Sequence, residues 1–265
     1  MNHFSTIWIS DTHLGTKSSN VKHLINFFKH NTADKIYLVG DIIDGWELNK
    51  KWYWPKSHNQ FIRVILKISR KSKVIYVPGN HDSFLRNFIS LIKFSSISFK
   101  KNTIHLTKQK KRILVTHGDQ FDSVRNVSVL MNKLGDLLYS FFIFISTKIT
   151  DWRNSRNLPH WSFATQVKMK SKNVKKYIKN YKLFMVNEAR RSKCDGVICG
   201  HIHHPEIETI DGINYYNDGD WVESCSALVE HMDGTWEIIY PEFDLSTVEH
   251  SNVDINSNSN EFDLS

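Results

Sequence analysis

Five short runs of apolar and β-branched residues each end in a polar cluster, and this repeated pattern constrains the fold more than any other feature. The clusters read DTHLG, DIID, GNHD, HGDQFD and HIHH, after runs such as FSTIWIS and KIYLVG. Apolar stripes with helical spacing, at residues 23–28 and 61–68, separate the first three runs. Strands that alternate with helices predict an α/β core, in which ligands bind beyond the carboxyl ends of the strands. The polar clusters therefore lie where a functional site is expected.

The composition is that of a folded protein with one local basic patch. The chain has 265 residues, 40% of them hydrophobic, which is enough for one large core or two small ones. The formal net charge is +8, but ten Lys or Arg lie between Lys168 and Lys193, where Glu188 is the single acid. Such a patch suits phosphate-bearing ligands, an anionic membrane surface or nucleic acid, although it is more often a solvated helix face.

The cysteines and the apolar segments predict a cytoplasmic protein without a membrane-spanning helix. Cys194, Cys199 and Cys225 are odd in number and lack CxxC spacing, which argues against a disulfide framework and a structural zinc site. The first residues, MNHFSTIWISDTHLG, lack the pattern of an export signal. The longest apolar run, LLYSFFIFI at 137–145, is far shorter than the roughly 20 residues that cross a bilayer.

We predict one domain over residues 1–243, interrupted by a helical insertion. Residues 124–193 contain no convincing strand and predict consecutive helices, first apolar and then Lys-rich, that form a cap. Short strands return from Glu206, and the turns Asp211-Gly212 and Asp233-Gly234 predict two hairpins that complete the sheet. Residues 244–265 are rich in Ser, Asn and acids, and we expect a disordered tail there.

Carboxylates, imidazoles and one amide follow the predicted strands and form a set of metal-binding donors. Mixed oxygen and nitrogen donors suit Mn, Fe or Zn, and this set is too rich in nitrogen for Ca or a Mg-only site. The candidate ligands exceed one coordination sphere and a carboxylate such as Asp41 can bridge, so two metal ions are more plausible than one. Paired metal ions recur in phosphate-ester hydrolysis. The strand-end residues are Asp11, His13, Asp41, Asn80, His81, His117, His201 and His203.

The motifs DTH, GDIID, GNHD, THGD and GHIH follow one another in this order along the chain. Together they resemble the motifs of the calcineurin-like metallophosphoesterase superfamily, over roughly residues 4–240. The resemblance implies an α/β fold that is a four-layer αββα sandwich with a helical insertion. It also implies two divalent metal ions, with Mn expected and Fe or Zn as alternatives. The implied ligands are Asp11, His13 and His203 for the first ion and Asn80, His117 and His201 for the second, with Asp41 bridging them.

The same resemblance implies metal-dependent hydrolysis of a phosphoester or pyrophosphate bond. A hydroxide held between two metal ions would attack phosphorus in line, without a covalent enzyme intermediate. His81 would be the catalytic histidine, and Asp44 would orient it as a His-Asp dyad. We expect Asp82 and Asp119 to fix their loops by accepting backbone N–H groups, and we expect His204 to lie outside the ligand set.

Aromatic stretches after the second motif and near the end of the chain resemble the UDP-2,3-diacylglucosamine diphosphatase-like branch of the superfamily. The stretches read GWELNKKWYWPKSHNQF and YYNDGDWVES. This branch implies hydrolysis of the pyrophosphate of UDP-2,3-diacylglucosamine, or of a related sugar nucleotide, to UMP and a diacylglucosamine 1-phosphate in lipid A assembly. Several residues in these stretches are candidates for binding the sugar or the base. The alternative is that they pack between the cap and the core. They are His58, Asn59, Trp46, Trp52 and Trp54, together with Trp221.

Two features bear on the substrate that this branch implies. The established lipid A enzymes of the branch carry Arg at the position of His81 and read GNRD, so the chain resembles a sister group whose substrate stays open. The run at 137–145 would form an apolar wall for acyl chains, and the basic stretch would face the diphosphate or make a peripheral contact with the inner membrane surface. An ordinary helical hairpin with a solvated Lys face is the alternative.

Two further functions are alternatives to this one. A phosphodiesterase or nuclease of the same superfamily would use the same metal site. Only Tyr177, Tyr181 and Phe184 interleave with the basic run, however, so nucleic acid binding is not favoured. A scaffold without catalysis is disfavoured, because every motif residue is present. The sequence implies a phosphorylated small-molecule or lipid substrate and no protein partner.

Overall fold

Two β-sheets lie face to face, and helices cover their outer surfaces. The structure is a computed structural model that describes residues 1–89, 96–125 and 172–241. Its strands are β1 (Asn2–Ile9), β2 (Asn31–Val39), β3 (Lys73–Val77), β4 (Ile97–Phe99), β5 (Thr103–Leu106), β6 (Arg112–Val115), β7 (Gly196–Cys199), β8 (Glu206–Ile210), β9 (Ile213–Asn217), β10 (Ala227–Glu230) and β11 (Trp236–Ile239). Its helices are α1 (Val21–His30), α2 (Gly45–Lys50), α3 (Lys56–Ile68), α4 (Gln120–Arg125) and α5 (Lys172–Arg191), with a 3₁₀-helix at Ser83–Phe88.

Each sheet has a parallel centre. The first sheet has six strands in the order β11-β10-β1-β2-β3-β4, and the second has five in the order β5-β6-β7-β9-β8. Strands β1 to β4 are parallel to one another, and so are β6, β7 and β9. The two predicted hairpins are present, and one joins each sheet: β8 pairs with β9 in the second sheet, and β10 with β11 in the first.

Helices α1 and α3 cover the outer face of the first sheet. Their buried side chains recur at helical spacing, as the apolar stripes predict, with Leu24 and Phe27 on α1 and Phe61 on α3. These side chains share one apolar cluster with Ile7 and Ile9 of β1. Full burial of a side chain of this size contributes about 1.5–3 kcal/mol to stability, so this layer is a large part of the core.

The space between the sheets holds a second apolar cluster. Because side chains alternate along a strand, Trp8 of β1 points away from Ile7 and Ile9 and into this space. Its ring stacks on Tyr37 with centroids 5.5 Å apart. Ile113 and Ile198 of the second sheet complete the same cluster. The two sheets are therefore joined by an apolar interface.

Helix α5 covers the outer face of the second sheet. Its residues Tyr181, Met185 and Ala189 share a third apolar cluster with Val197 and Tyr215. The four layers confirm the predicted αββα sandwich. Although α5 belongs to the segment predicted as a cap, it forms the fourth layer of the sandwich. Residues 126–171, including the run at 137–145, and the predicted tail at 244–265 lie outside the described residues.

The structure also describes the cysteines, the character of the helices and the surroundings of the basic run. Cys194, Cys199 and Cys225 are free and buried. None of the described helices combines the length and the apolar character that crossing a bilayer requires. Within the basic run, Lys182 lies 2.6 Å from Glu206 and 2.7 Å from Glu208, so β8 neutralises part of the positive charge of α5.

Candidate metal centre and active site

The loops that follow five strands meet at one edge of the sandwich. In the first sheet, Asp11 N donates to Gly40 O at 3.0 Å and His13 N donates to Asp41 O at 2.9 Å. In the second sheet, Gly200 N donates to His117 O at 3.1 Å. A contact between the sheets is made by His201 N, which donates to Asp11 Oδ2 at 2.9 Å. These bonds bring together the polar clusters that the sequence places at strand ends.

Asp11, His13 and His203 form a first group of candidate ligands. Their ligand atoms all lie within 4.8 Å of one another. The Asp11 carboxylate is fully buried, and its Oδ1 lies 3.2 Å from His203 Nε2 and 3.7 Å from His13 Nε2. Its Oδ2 accepts a hydrogen bond from Ser10 Oγ at 2.5 Å. This group has the composition predicted for the first metal ion.

Asp41, His117 and His201 form a second group within the same distance limit. Asp41 Oδ2 lies 3.2 Å from His117 Nε2. Asp41 and His13 also belong to a third group with His81. Asp41 therefore connects the second group to the third, and the third shares His13 with the first.

The backbone at this edge is strained. The φ angles are 48° at Asp11, 46° at His13, 51° at Asp41, 70° at His201 and 50° at His203. Residues with a Cβ rarely occupy this left-handed region, and each such residue costs of order 1–3 kcal/mol. Five of the seven predicted ligands thus have a conformation that the surrounding structure must impose.

Two candidate ligand atoms are buried and lack a hydrogen-bond partner among the described residues. They are Asn80 Oδ1 and His117 Nε2, whose 3.2 Å approach to Asp41 Oδ2 does not have the angles of a hydrogen bond. Buried polar atoms in proteins are almost always satisfied, so such atoms require an explanation. A divalent cation accepts both an amide oxygen and an imidazole nitrogen as ligands. The residues present therefore fit the predicted metal ions.

Asp41 and His117 are a strongly interacting pair of charges. Burial disfavours both charged forms, but the attraction between the two side chains outweighs it, lowering the pKa of Asp41 and raising the pKa of His117 to about 10. Burial also opposes the charge on His13, yet its contacts with Asp11 and Asp44 raise the pKa of His13 well above its ordinary value. A cation competes with these protons for the same nitrogen atoms, so metal binding releases protons.

Asp44 holds two histidines and a helix at once. Its Oδ1 accepts a hydrogen bond from Glu47 N at 2.8 Å and so caps α2. Its Oδ2 lies 2.9 Å from His13 Nδ1 and 3.0 Å from His81 Nδ1. The close contacts of the two imidazoles outweigh burial and lower the pKa of Asp44. The geometry is that of the predicted His81-Asp44 pair, and the contact with His13 is an addition that the sequence did not indicate.

His81 lies between the candidate ligands and solvent. Its backbone N–H donates to Asp41 Oδ1 at 2.8 Å, and its Nε2 lies 3.9 Å from Asp41 Oδ2. The ring lies against that of Trp46, with centroids 4.1 Å apart and a tilt of 30° between the ring planes. Trp46 is 51% exposed and, with Asn49 and Phe84, lines a pocket beside His81. Among the predicted substrate residues, Trp46 thus has its side chain against His81.

The other predicted substrate residues are placed differently. His58 is 1% exposed, and its Nδ1 accepts a hydrogen bond from Gly15 N at 3.2 Å. Trp221 is fully buried and contacts Phe27, with ring centroids 5.6 Å apart. Both side chains are part of the protein interior, and for His58 this agrees with the packing alternative. Trp54 Nε1 donates to Asn59 Oδ1 at 2.9 Å. The side chains of Trp54 and Asn59 therefore bond to each other, and among the described residues no contact joins them to the candidate ligands.

The acids that follow the third and fourth motifs fix loops in two different ways. Asp82 accepts hydrogen bonds from the backbone N–H groups of Ile42 at 2.9 Å and Gly79 at 2.5 Å, as expected. Asp119 is instead paired with Arg86, whose guanidinium makes two hydrogen bonds of 2.9 and 2.8 Å to it. The sequence did not identify Arg86, because its position carries no motif signal. His204 lies 3.6 Å from Glu206, outside the candidate ligand groups.

Gly79 allows the loop after β3 to lie close to the side chains of Asp41 and His117. A Cβ at this residue would overlap Asp41 Oδ1 and would lie 2.6 Å from His117 Cδ2. Both neighbours are candidate ligands, so neither can move without disturbing the centre. The glycine of GNHD is therefore required by the close packing of the site.

Comparison with known proteins places this centre in a family. The family model described as calcineurin-like phosphoesterase matches residues 4–205. The chain belongs to the calcineurin-like phosphoesterase family. As a member of this family, it is a metal-dependent phosphoester hydrolase.

Two curated relatives of this calcineurin-like phosphoesterase have the same name, UDP-2,3-diacylglucosamine hydrolase. The relative from Wigglesworthia glossinidia brevipalpis is 25% identical over 241 residues, which cover 84% of this chain and 90% of the relative. The relative from Psychromonas ingrahamii is 23% identical over 255 residues, which cover 89% of this chain and 97% of the relative. A solved structure of an archaeal phosphodiesterase is 13% identical with a TM-score of 0.44, and the match covers 88% of this chain and 98% of that one.

Proposed function

We propose that the protein hydrolyses the pyrophosphate bond of UDP-2,3-diacylglucosamine, or of a related sugar nucleotide that carries a lipid. The observation that carries this proposal is the similarity to two relatives named UDP-2,3-diacylglucosamine hydrolase, which extends over 84% and 89% of the chain. An alignment of that length covers most of the chain. The proposal therefore concerns the whole sandwich rather than the metal-binding motifs alone.

The residues at the sheet edge would hold two divalent ions, with Mn proposed and Fe or Zn as alternatives. Asp11, His13 and His203 would hold the first, and Asn80, His117 and His201 the second, while the Asp41 carboxylate would be shared. When bound, the two ions would lower the pKa of a water molecule and neutralise charge on the phosphoryl oxygens. Burial of Asp11 and Asp41 keeps water from weakening these interactions.

His81 would act on the leaving group. Its Nδ1 lies 3.0 Å from Asp44, so that carboxylate orients the ring and favours a proton on Nδ1. Its Nε2 then faces the space beside Asp41, where a phosphoryl oxygen would lie. The close contact with the Trp46 ring restricts rotation of the imidazole. Unlike arginine, which stays charged, a histidine can both hold and donate a proton, so His81 can stabilise charge or protonate the departing oxygen.

The pocket beside His81 would receive part of the substrate. Trp46 is 51% exposed and Phe84 is 47% exposed, although both are large apolar side chains. Exposed aromatic rings beside a polar centre are suited to planar bases, sugar faces or apolar chains. Because such a substrate carries a lipid, we also propose that the protein works at the cytoplasmic face of the membrane as a peripheral protein.

A phosphodiesterase with another substrate is the second candidate. It is favoured by His81, which stands where the established lipid A enzymes of the branch have arginine. The chemistry at Asp41 and His81 would be the same, and the substrate would differ.

Product analysis separates these two candidates. Mn-loaded protein is incubated with UDP-2,3-diacylglucosamine, UDP-N-acetylglucosamine, a bis-aryl phosphate and single-stranded DNA, and phosphorus-containing products are identified. We expect UMP from the acylated sugar nucleotide and little turnover of the other compounds. Turnover of the bis-aryl phosphate alone would contradict the proposed substrate. The matched control is Asp41→Asn, which keeps the side-chain shape but removes the shared carboxylate, and which should be inactive on every compound.

A further inference from the structure

Asp122 contacts His201 at the edge of the centre. Asp122 Oδ2 lies 2.8 Å from His201 Nε2. Asp122 is on α4, five residues after His117, and it is the last residue of the cluster HGDQFD. An imidazole has two ring nitrogens, and a hydrogen bond at one of them decides which nitrogen remains for a cation. With Nε2 bonded to Asp122, Nδ1 of His201 is the nitrogen that remains.

Two other candidate ligands are held in the same way. His13 Nδ1 lies 2.9 Å from Asp44 Oδ2, and its Nε2 faces Asp11. His117 Nδ1 is 2.8 Å from the carbonyl oxygen of Val39, and its Nε2 faces Asp41. In each case one ring nitrogen bonds to an oxygen of the protein, and the other faces the candidate ligands. This arrangement orients ligating histidines and fixes their tautomers. For His201, the oxygen that bonds to one ring nitrogen belongs to Asp122.

The carboxylate of Asp122 is itself held by α5. Tyr177 donates a hydrogen bond from its hydroxyl group to Asp122 Oδ1 at 3.0 Å. Phe121, the neighbour of Asp122, contacts the rings of Tyr177 and Tyr181, with centroids 5.4 Å apart in each case. The two carboxylate oxygens of Asp122 therefore have separate contacts, one with α5 and one with His201. Such a carboxylate has little freedom to leave the imidazole.

Helix α5 also contacts the backbone of the two loops that carry His117 and His201. The Tyr181 hydroxyl lies 3.3 Å from His117 O and 3.1 Å from Gly200 O, the carbonyl oxygen just before His201. Tyr181 is fully buried, so these contacts are not shared with solvent. Helix α5 thus supports His201 through two contacts. Tyr181 bonds to the carbonyl oxygen of Gly200, and Tyr177 bonds to Asp122, which contacts the imidazole.

We propose that Asp122 is a positioning residue for His201 and that it sets the affinity of the second metal ion. The inference rests on the proposed function, because it requires that His201 bind one of two ions. Asp122 does not contact the reacting atoms in this account. It keeps a proton on Nε2 of His201 and directs Nδ1 toward the ion. Loss of a residue in this position typically reduces metal affinity by about 10–100-fold.

The test is calorimetric titration of the full chain with Mn²⁺, together with the metal content after dialysis. Wild-type protein should bind two equivalents. Asp122→Ala should bind one equivalent with wild-type affinity and the other about 10–100-fold more weakly. Asp122→Asn keeps an oxygen that accepts from Nε2–H, so it should recover much of the lost affinity. The matched control is Asp34→Ala, which removes the exposed carboxylate 2.9 Å from His3 and should leave both equivalents unchanged.

The outcomes distinguish this inference from the proposed function. If Asp122→Ala binds both equivalents as tightly as wild type, Asp122 does not position His201. If Asp122→Ala weakens both equivalents equally and lowers the unfolding temperature of the metal-free chain, its role is structural and the inference is overturned. Failure of Asp122→Asn to bind better than Asp122→Ala also overturns it. A wild-type chain that binds fewer than two equivalents would contradict the proposed two-metal centre instead.

Discussion

At the scale of single residues, the centre depends on side chains that make two contacts in different directions. Asp41 contacts His117 through Oδ2 and accepts the backbone N–H of His81 through Oδ1. Asp44 caps α2 with one oxygen and contacts His13 and His81 with the other. Such double contacts fix the orientation of a side chain, so each substitution at these positions has two effects.

His81→Ala tests the role of the imidazole beside Trp46. We expect turnover to fall by about 10²–10⁴-fold, because a positioned acid or base contributes about that factor. Bound metal should be nearly unchanged, since the two predicted ligand sets do not include His81. Turnover and metal content are measured on the same preparation.

His204→Ala is the matched control for that substitution. His204 follows the ligand His203 in sequence, but its Nε2 lies 3.6 Å from Glu206 and outside the candidate ligand groups. Turnover and metal content should both match wild type. Loss of one metal equivalent in His81→Ala would show that His81 is a ligand, as its proximity to His13 and Asp41 would allow.

At the scale of elements, the 3₁₀-helix at Ser83–Phe88 ties two of the site loops together. Arg86 lies on this helix and makes a bidentate contact with Asp119, in the loop after β6. The same guanidinium donates to Pro78 O at 2.8 Å, just before the GNHD motif. One side chain therefore links the loops that carry Asn80 and His117.

Arg86→Ala should destabilise the metal-free protein by about 1.5–3 kcal/mol, because the buried Asp119 carboxylate loses its charged partner. The free energy of unfolding in urea measures this change. Arg191→Ala is the matched control, because Arg191 pairs with Glu188 on the exposed face of α5 and such pairs contribute about 0–1 kcal/mol. Equal losses in the two variants would show that the Arg86 contact is no stronger than a surface ion pair.

At the scale of the whole molecule, a buried polar pair lies between the two sheets. His105 of β5 and Glu230 of β10 are 3.1 Å apart and are buried beside Trp8 and Trp236. Burial lowers the pKa of His105, although Glu230 partly opposes this effect. Burial would raise the pKa of Glu230, but hydrogen bonds from His105 and the backbone of Lys108 outweigh it, and the pKa is lowered.

The shifts of His105 and Glu230, taken by themselves, lower the free energy of unfolding as the pH falls. His105 binds a proton more weakly in the folded chain, so its contribution is complete above about pH 6.5 and decreases below it. The pKa of Glu230 is lower in the folded chain than in the unfolded chain. Its contribution to the free energy of unfolding is therefore lost at lower pH, as the pH falls through the pKa of the folded state. His105→Gln keeps an N–H donor but does not titrate, so its free energy of unfolding, relative to that of wild type, should rise between pH 6.5 and pH 5. Both chains are unfolded with a chelator present, and equal slopes would contradict this prediction.

The fold and the ligand groups could be predicted because both follow from local sequence order. Parallel strands place their carboxyl ends at one edge, so polar residues after Ile9, Val39 and Val77 had to meet. Arg86 and Asp122 could not be identified as contacts in this way, because their partners depend on how the 3₁₀-helix, α4 and α5 pack. The burial of His58 and Trp221 could not be predicted, because aromatic composition does not distinguish a core residue from a pocket residue.

The central claim is that one shared carboxylate, Asp41, joins two metal sites, and anomalous diffraction from crystals grown with Mn²⁺ tests it most directly. We predict two anomalous peaks about 3.5–4 Å apart, with Asp41 between them. One peak should lie beside Asp11, His13 and His203, and the other beside Asn80, His117 and His201. A single peak, or two peaks that do not share Asp41, would contradict the account.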